Sequence, residues 1–325
     1  MAYSNEVVRR ARQRLEHKKA DHESLQQARL QEIYAKIPRV TEIDKQLRLS
    51  MVLAAQAAFQ KGVSGTDALA EVREANLALQ AERKNLISAA FPAEYLDQGP
   101  ICDHCGGVGY IGSNMCVCLL DLCREEQKKE LALLSAGDPS FSQFRLDYYP
   151  EAVDPKYGAS PRVIMGKILE ICRKYAASFS LESGNLLFNG GTGLGKTFLS
   201  ACIAREVTEK GFSVAYGSAQ HLFSKLENAR FRPDEESVAA ADNLTRCDLL
   251  IVDDLGTELP GNFTTAALYN LVNDRILAGR PTIISTNLNI GEINARYSPQ
   301  IASRLQGNFQ LLPFVGEDIR VLKNK

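Results

Sequence analysis

Residues Gly190–Thr197 read Gly-Gly-Thr-Gly-Leu-Gly-Lys-Thr and fit the pattern G-x-x-x-x-G-K-[ST]. The apolar run Leu186-Leu187-Phe188 before them has the character of a buried strand. Phe198 to Lys210 after them has helical spacing. A strand, a glycine-rich turn and a helix start form the context in which this pattern cradles phosphate. Along Gly190, Gly191, Thr192, Gly193, Leu194 and Gly195, the glycines let backbone N–H groups converge on phosphate oxygens without Cβ clashes. The new helix points its positive end at the same anion. Lys196 can reach the β- and γ-phosphates, and the Thr197 hydroxyl can hold Mg²⁺. ATP and Mg²⁺ are therefore the expected ligands.

Two further apolar runs end in polar residues. Leu249-Leu250-Ile251-Val252 runs into Asp253-Asp254, as a buried parallel strand would. The C-terminal ends of such strands present ligands. Asp253 is placed to hold Mg²⁺ through water, and Asp254 to polarise the attacking water. Thr282-Ile283-Ile284-Ser285-Thr286 leads to Asn287, a candidate for orienting that water beside the γ-phosphate. Ile301-Ala302-Ser303-Arg304-Leu305 sets an arginine on an apolar helix, where it could stabilise transition-state charge in a neighbouring subunit. Arg320, in Gly316-Glu317-Asp318-Ile319-Arg320, is a candidate nucleotide contact, with a surface ion pair as the alternative.

Composition narrows the class. A chain of 325 residues holds two or three domains. A net charge of −1 argues against a uniformly basic surface but leaves room for a local basic groove. No run approaches the ~18 apolar residues of a membrane span. Met1 to Arg14 is charged and lacks a signal-peptide core, so a cytoplasmic location without a membrane partner is expected.

The remaining chain divides by composition. Residues 1–98 are rich in Ala, Leu, Glu, Gln, Arg and Lys, which is helical composition. Val8, Ala11, Leu15, Leu25, Ile33 and Ile37 form a broken apolar stripe stopped by Pro38. Thr41 with Asp44 resembles a capping box opening a second helix. A break at Gly62 to Gly65 precedes a third helix carrying Leu69, Val72, Leu79 and Leu86. His22, Asn76 and Arg83 fall on these stripes and speak against a long regular coiled coil, so a helical hairpin or small bundle is expected. The basic run Arg9, Arg10, Arg12, Arg14, Lys18 and Lys19 reads as a solvated helix face.

Residues 99–125 hold five of the eight cysteines. Cys102 and Cys105 form a C-x₂-C pair, and Cys116 and Cys118 a C-x-C pair. Four thiolates can enclose a tetrahedral, structural Zn²⁺, with His104 and Cys123 as spare candidates. An iron–sulfur cluster and unligated thiols are the alternatives. Residues 126–160 read as a connector broken by Gly137, Pro139, Pro150, Pro155 and Gly158. Residues 161–325 alternate strand-like and helical runs, as a parallel sheet with crossover helices does.

Together these motifs resemble the bacterial and phage helicase loaders of the DnaC/DnaI type, within the AAA+ ATPases. The related IstB-type transposition helpers share the core. The resemblance rests on Gly193-Leu194-Gly195-Lys196-Thr197, Asp253-Asp254-Leu255-Gly256, Ser285-Thr286-Asn287, Ser303-Arg304-Leu305 and Gly316-x-Asp318-Ile319-Arg320. It covers residues 140–325 and extends to the cysteine module, since DnaI-type loaders carry a zinc-binding N-terminal part. The implied fold is α/β: an AAA+ P-loop NTPase domain with a parallel sheet at 161–325, preceded by an all-α N-terminal region and a small zinc-binding module. The implied partners are a replicative DNA helicase docked by the helical region, single-stranded DNA, and further copies of the chain when ATP is bound. Phe223, Lys225, Arg230 and Arg232 are candidate DNA contacts. An IstB-type ATPase assisting a transposase and a nucleotide-gated binding protein with little turnover are the competing functions. A metabolic kinase is less consistent, because no second basic lid or substrate motif is present.

Overall fold

The computed structural model describes residues 3–59, 65–92, 95–96, 99–134 and 139–322. Gly62, Gly137 and the side chains of Leu69 and Val72, on which sequence expectations fell, lie outside the described residues. The chain divides into two compact units, one of residues 14–116 and one of residues 1–13 with 117–325.

Three helices dominate the N-terminal part: α1 (Asn5–Lys36), α2 (Pro38–Phe59) and α3 (Gly65–Ala90). Pro38 ends α1, as expected, but it also opens α2 itself. Its fixed φ suits a first helical position, where the missing N–H costs nothing. Thr41 and Asp44 therefore lie inside α2 and do not cap it. Asp44 instead accepts the Tyr34 hydroxyl at 2.7 Å and Arg83 Nε at 2.7 Å. The start of α2 meets the end of α3 through Arg39–Glu82 and Asp44–Arg83, and Ser50 further along α2 meets the earlier Asn76, so the two helices form an antiparallel hairpin. The polar residues that interrupt the apolar stripe are thus the cross-helix contacts. Ile33, Val40, Ile87 and Phe91 build a small apolar core in this unit.

The larger unit holds a five-stranded sheet of β3 (Asn185–Asn189), β4 (Val214–Ser218), β5 (Leu249–Leu255), β6 (Thr282–Thr286) and β7 (Phe309–Pro313). It follows β1 (Tyr110–Ile111) and β2 (Asn114–Met115), an antiparallel hairpin in the cysteine region. The large sheet is parallel throughout, in the order β4-β5-β6-β3-β7. This is the expected α/β architecture with a parallel sheet, preceded in the chain by a helical region. The strands read as continuous apolar runs because helices cover both faces. The helices are α4 (Val117–Leu134), α5 (Pro161–Ala177), α6 (Lys196–Glu209), α7 (Ala219–Phe231), α8 (Glu235–Arg246), α9 (Asn262–Leu277), α10 (Ile290–Arg296), α11 (Pro299–Asn308) and α12 (Ile319–Leu322). One face carries Leu186, Phe188, Leu199, Ile203 and Ile251, and the other carries Leu187, Leu250, Val252, Leu268 and Ile284.

Arg10 departs from the solvated face expected of it. It pairs with Glu6, with the buried Glu126 and with Glu130 on α4. Tyr3 donates its hydroxyl to the Gly211 carbonyl at 3.0 Å, so the first residues are fastened to this unit. Among the described residues no helix is long and apolar enough to cross a membrane.

Candidate functional site

The P-loop leaves the C-terminal end of β3, where the sheet order places β6 beside it. Two glycines fix its path. Gly190 lies at φ +154, and a Cβ there would come 2.3 Å from the Phe314 carbonyl oxygen. Gly193 lies at φ +70, and a Cβ would come 1.8 Å from Asp318 Oδ1. Neither position admits a side chain. Ile319 N–H donates to the Gly193 carbonyl at 3.1 Å, which brings the segment after β7 onto the loop. Gly195 caps α6 in the left-handed region, and Lys196 opens the helix.

Lys196 is buried. Its Nζ donates to the carbonyls of Gly190 at 2.7 Å and Gly191 at 2.6 Å, and to Asn287 Oδ1 at 2.6 Å. Burial lowers its pKa, while the Asp254 and Asp253 carboxylates act in the opposite sense. A cavity of about 410 Å³ opens over the loop, within the ~300–1,000 Å³ of small-molecule pockets. Thr192 to Phe198, Asp254, Asn287 and Arg320 line it. Phe144, Arg145, Tyr148, Thr257 and Ile319 also line it.

The two carboxylates have different surroundings. Asp253 is buried and accepts two hydroxyls, one from Ser285 and one from Tyr216 at 3.1 Å. Asp254 is half-buried at the cavity, at φ +53, the single non-glycine in the left-handed region among the described residues. The β5–β6 register shifts between Val252 and Leu255, which turns Asp254 out of the ladder. Ser285 Oγ accepts the Asp254 N–H at 2.9 Å. Burial first, then the neighbouring Asp253, raises the Asp254 pKa above the usual carboxylate range.

Lys196, Asp254, Asn287 and Arg320 thus meet at one cavity, with Thr197 in its lining. Arg304 does not line it. Arg304 Nε donates to Asn273 Oδ1 at 3.0 Å and Nη2 to the Tyr269 hydroxyl at 2.7 Å, both on α9.

The cysteine cluster forms as the spacing suggests. The Sγ atoms of Cys102, Cys105, Cys116 and Cys118 all lie within 4.8 Å of one another. Cys102 and Cys116 sulfurs are 3.7 Å apart. A tetrahedron of Zn–S bonds of about 2.3 Å has edges of about 3.8 Å, so the set fits zinc. Gly109 N–H donates to Cys105 Sγ at 3.2 Å, as a knuckle around a thiolate requires. The two spare candidates lie outside the cluster. Cys123 is fully buried, and burial pushes its thiol up to about 11. His104 is exposed.

Among the candidate DNA contacts, Phe223 is buried in the core beneath α7 and cannot stack on a base. Lys225 is half-buried, whereas Arg230 and Arg232 are exposed. Between them Phe231 is 64% exposed, its ring centroid 5.4 Å from that of Phe263.

Fold and site together define a P-loop α/β domain built to hold the phosphates of a nucleotide. Residues 169–305 match the family model described as IstB-like ATP binding protein. It is similar to the replicative helicase loader DnaC of Escherichia coli (strain K12), 24% identical over 138 residues, which are 42% of this chain and 56% of that protein. It is also similar to a putative insertion sequence ATP-binding protein, y4iQ/y4nD/y4sD, of Sinorhizobium fredii (strain NBRC 101917 / NGR234). That match is 31% identical over 138 residues, 42% of this chain and 45% of the relative. The chain therefore spans about half the length of these relatives. The crystal structure of the DnaC helicase loader superposes with a TM-score of 0.45 at 20% identity, covering 54% of this chain and 98% of that one.

Proposed function

We propose that this chain is an ATP-dependent loader that binds the replicative DNA helicase and helps place it on single-stranded DNA during replication initiation, with ATP hydrolysis driving release. The observation that carries this reading is the division of charged groups. Lys196, Asp254, Asn287 and Arg320 share one cavity, while Arg304 is held on a different surface by α9. A site with its own lysine, carboxylates and polar strand end, and an arginine presented elsewhere, suits completion by a second copy. The ATP-bound chain is then a homo-oligomer, with Arg304 of one copy facing the phosphates of the next.

Each residue has a task in this scheme. The Gly190–Gly195 backbone and the α6 N-terminus hold the phosphates, whose oxygens replace the three acceptors now around Lys196 Nζ. Thr197 and Asp253 would hold Mg²⁺, which when bound neutralises charge on the β- and γ-phosphates. Ser285 and Tyr216 orient Asp253 through its two oxygens. Asp254 polarises the attacking water, and Asn287 positions it. Arg320 contacts the phosphates from the far wall. Phe144, Tyr148 and Ile319 offer apolar surface for the base. Zinc held by Cys102, Cys105, Cys116 and Cys118 would fold a module with little core of its own. The helical hairpin docks the helicase, and Arg230, Phe231 and Arg232 meet single-stranded DNA in the cytoplasm.

The second reading, an ATPase assisting a transposase, is favoured by the insertion-sequence relative. The cysteine cluster and the helical hairpin, both outside the matched segment 169–305, weigh toward the loader. ATP turnover with and without single-stranded DNA, beside Lys196→Ala and a size measurement with a replicative helicase, separates them. DNA-responsive turnover and a helicase complex support the loader. Turnover without a helicase complex shifts the reading to the transposition helper, and tight ATP binding without turnover to a nucleotide-gated switch.

A further inference from the structure

The loop that leaves β5 after Asp254 is fastened to α10 and the residues after it by one buried carboxylate. Glu258 is 4% exposed. Its Oε2 accepts the Gly256 N–H at 2.9 Å. Its Oε1 accepts the Tyr297 hydroxyl and lies 3.6 Å from Arg296 Nε. The Glu258 carbonyl accepts a second Arg296 nitrogen. On the near side of the loop, Thr257 Oγ1 donates to the Asp254 carbonyl at 2.8 Å. A single short segment therefore joins the left-handed Asp254 to a carboxylate with donors on both oxygens.

The far side of this knot leads to Arg304. Arg296 ends α10, Tyr297 is its C-cap, and Ser298 caps α11 by accepting the Ile301 N–H. Arg304 lies on α11 and is gripped by Tyr269 and Asn273 of α9, the helix into which the Glu258 loop itself continues at Asn262. Buried charge-assisted hydrogen bonds resist being broken singly, since the partner left behind is desolvated. The contacts of Arg296 and Tyr297 with Glu258 therefore tie the segment leading into α11 to the loop.

We propose that Glu258 is a positioning residue that holds the Asp254 turn and couples it to the segment bearing Arg304, so that engagement of Arg304 by a second copy alters the placement of the Asp254 carboxylate. This rests on the reading of the cavity as an ATPase site completed in trans. It assigns Glu258, Tyr297 and Arg296 a part in turnover although none of them lines the nucleotide cavity.

Glu258→Gln keeps the side-chain shape and removes the charge. Its kcat is expected to fall about tenfold while KM and the affinity for a fluorescent ATP analogue stay within about twofold. Tyr297→Phe, a milder change, should shift kcat in the same sense. Combined with Arg304→Ala, Glu258→Gln should cost nothing beyond the loss from Arg304→Ala alone, because both act on one step. A wild-type kcat in Glu258→Gln, or losses that multiply in the double variant, overturns the proposal. So does a fall in ATP affinity that accounts for the lost turnover. If the wild-type chain hydrolyses no ATP, the ATPase reading fails, and the coupling is read from hydrogen exchange at the Gly256 amide. With a non-hydrolysable ATP analogue, protection that changes with protein concentration and is lost in Glu258→Gln supports it. Exchange independent of concentration overturns it.

Discussion

Lys196 and Asn287 are joined across the nucleotide site, Nζ to Oδ1 at 2.6 Å, tying the first residue of α6 to the end of β6. The contact forms because β3 and β6 are adjacent parallel strands whose C-terminal ends release the P-loop and Asn287 side by side. Lys196→Ala removes the ammonium that sits in this cradle. ATP binding is expected to fall at least about a hundredfold, measured by equilibrium titration with a fluorescent analogue.

Asp254 combines burial with a carboxylate neighbour, and both raise its pKa. Turnover that needs the ionised form should therefore decline with falling pH earlier than an ordinary aspartate would dictate. For stability the sign is the reverse of a salt-bridged acid. The folded state holds the proton more tightly, so ionisation disfavours the fold as pH rises through the interval between the unfolded and folded pKa values. Asp254→Asn should thus cut kcat by about 10²-fold or more while leaving the melting temperature at neutral pH equal or higher.

Zinc content follows from sulfur geometry. Metal analysis of the purified chain should find one zinc per chain, lost in Cys102→Ser and Cys116→Ser. Cys123→Ser should retain it, because that thiol is buried away from the cluster.

Arg275 is fully buried. Its guanidinium donates to the carbonyls of Leu244, Thr245, Cys247 and Pro281 and to Thr282 Oγ1. It caps the C-terminus of α8 and binds it to the start of β6. Arg275→Met strands these carbonyls, so the unfolding free energy from urea titration should fall by about 3 kcal/mol.

The exposed Phe231 between Arg230 and Arg232 should stack on a base while the arginines meet phosphates. Phe231→Ala should weaken single-stranded DNA binding at every salt concentration. Arg230→Glu should weaken it and flatten its salt dependence. Unchanged binding in both variants removes this surface from the account.

The sequence exposes what is local. The P-loop, the strand ending in Asp253-Asp254 and the four cysteines are short contiguous patterns, and their spacing alone brings the groups together. What it hides depends on contacts between distant segments. Tyr216 and Ser285 reach Asp253 from neighbouring strands, and Glu258 meets Tyr297 across two helices and a strand. Phe144 and Tyr148 lie in a stretch that reads only as a connector, since two short 3₁₀ turns leave no periodic signature. Phe223 is a different case. Ala219, Leu222, Phe223 and Leu226 follow helical i, i+3, i+4, i+7 spacing, a signal that marks Phe223 as core and was available. Pro38 misleads because one residue can both stop a helix and start the next.

The most direct test of the loader reading uses a closed circle of single-stranded DNA carrying an annealed forked oligonucleotide. A ring-shaped helicase cannot thread onto a template without ends. With the cognate replicative helicase, addition of this chain and ATP should start strand displacement, and Lys196→Ala should not. Displacement that is indifferent to this chain, with the chain folded and binding ATP, would contradict the account.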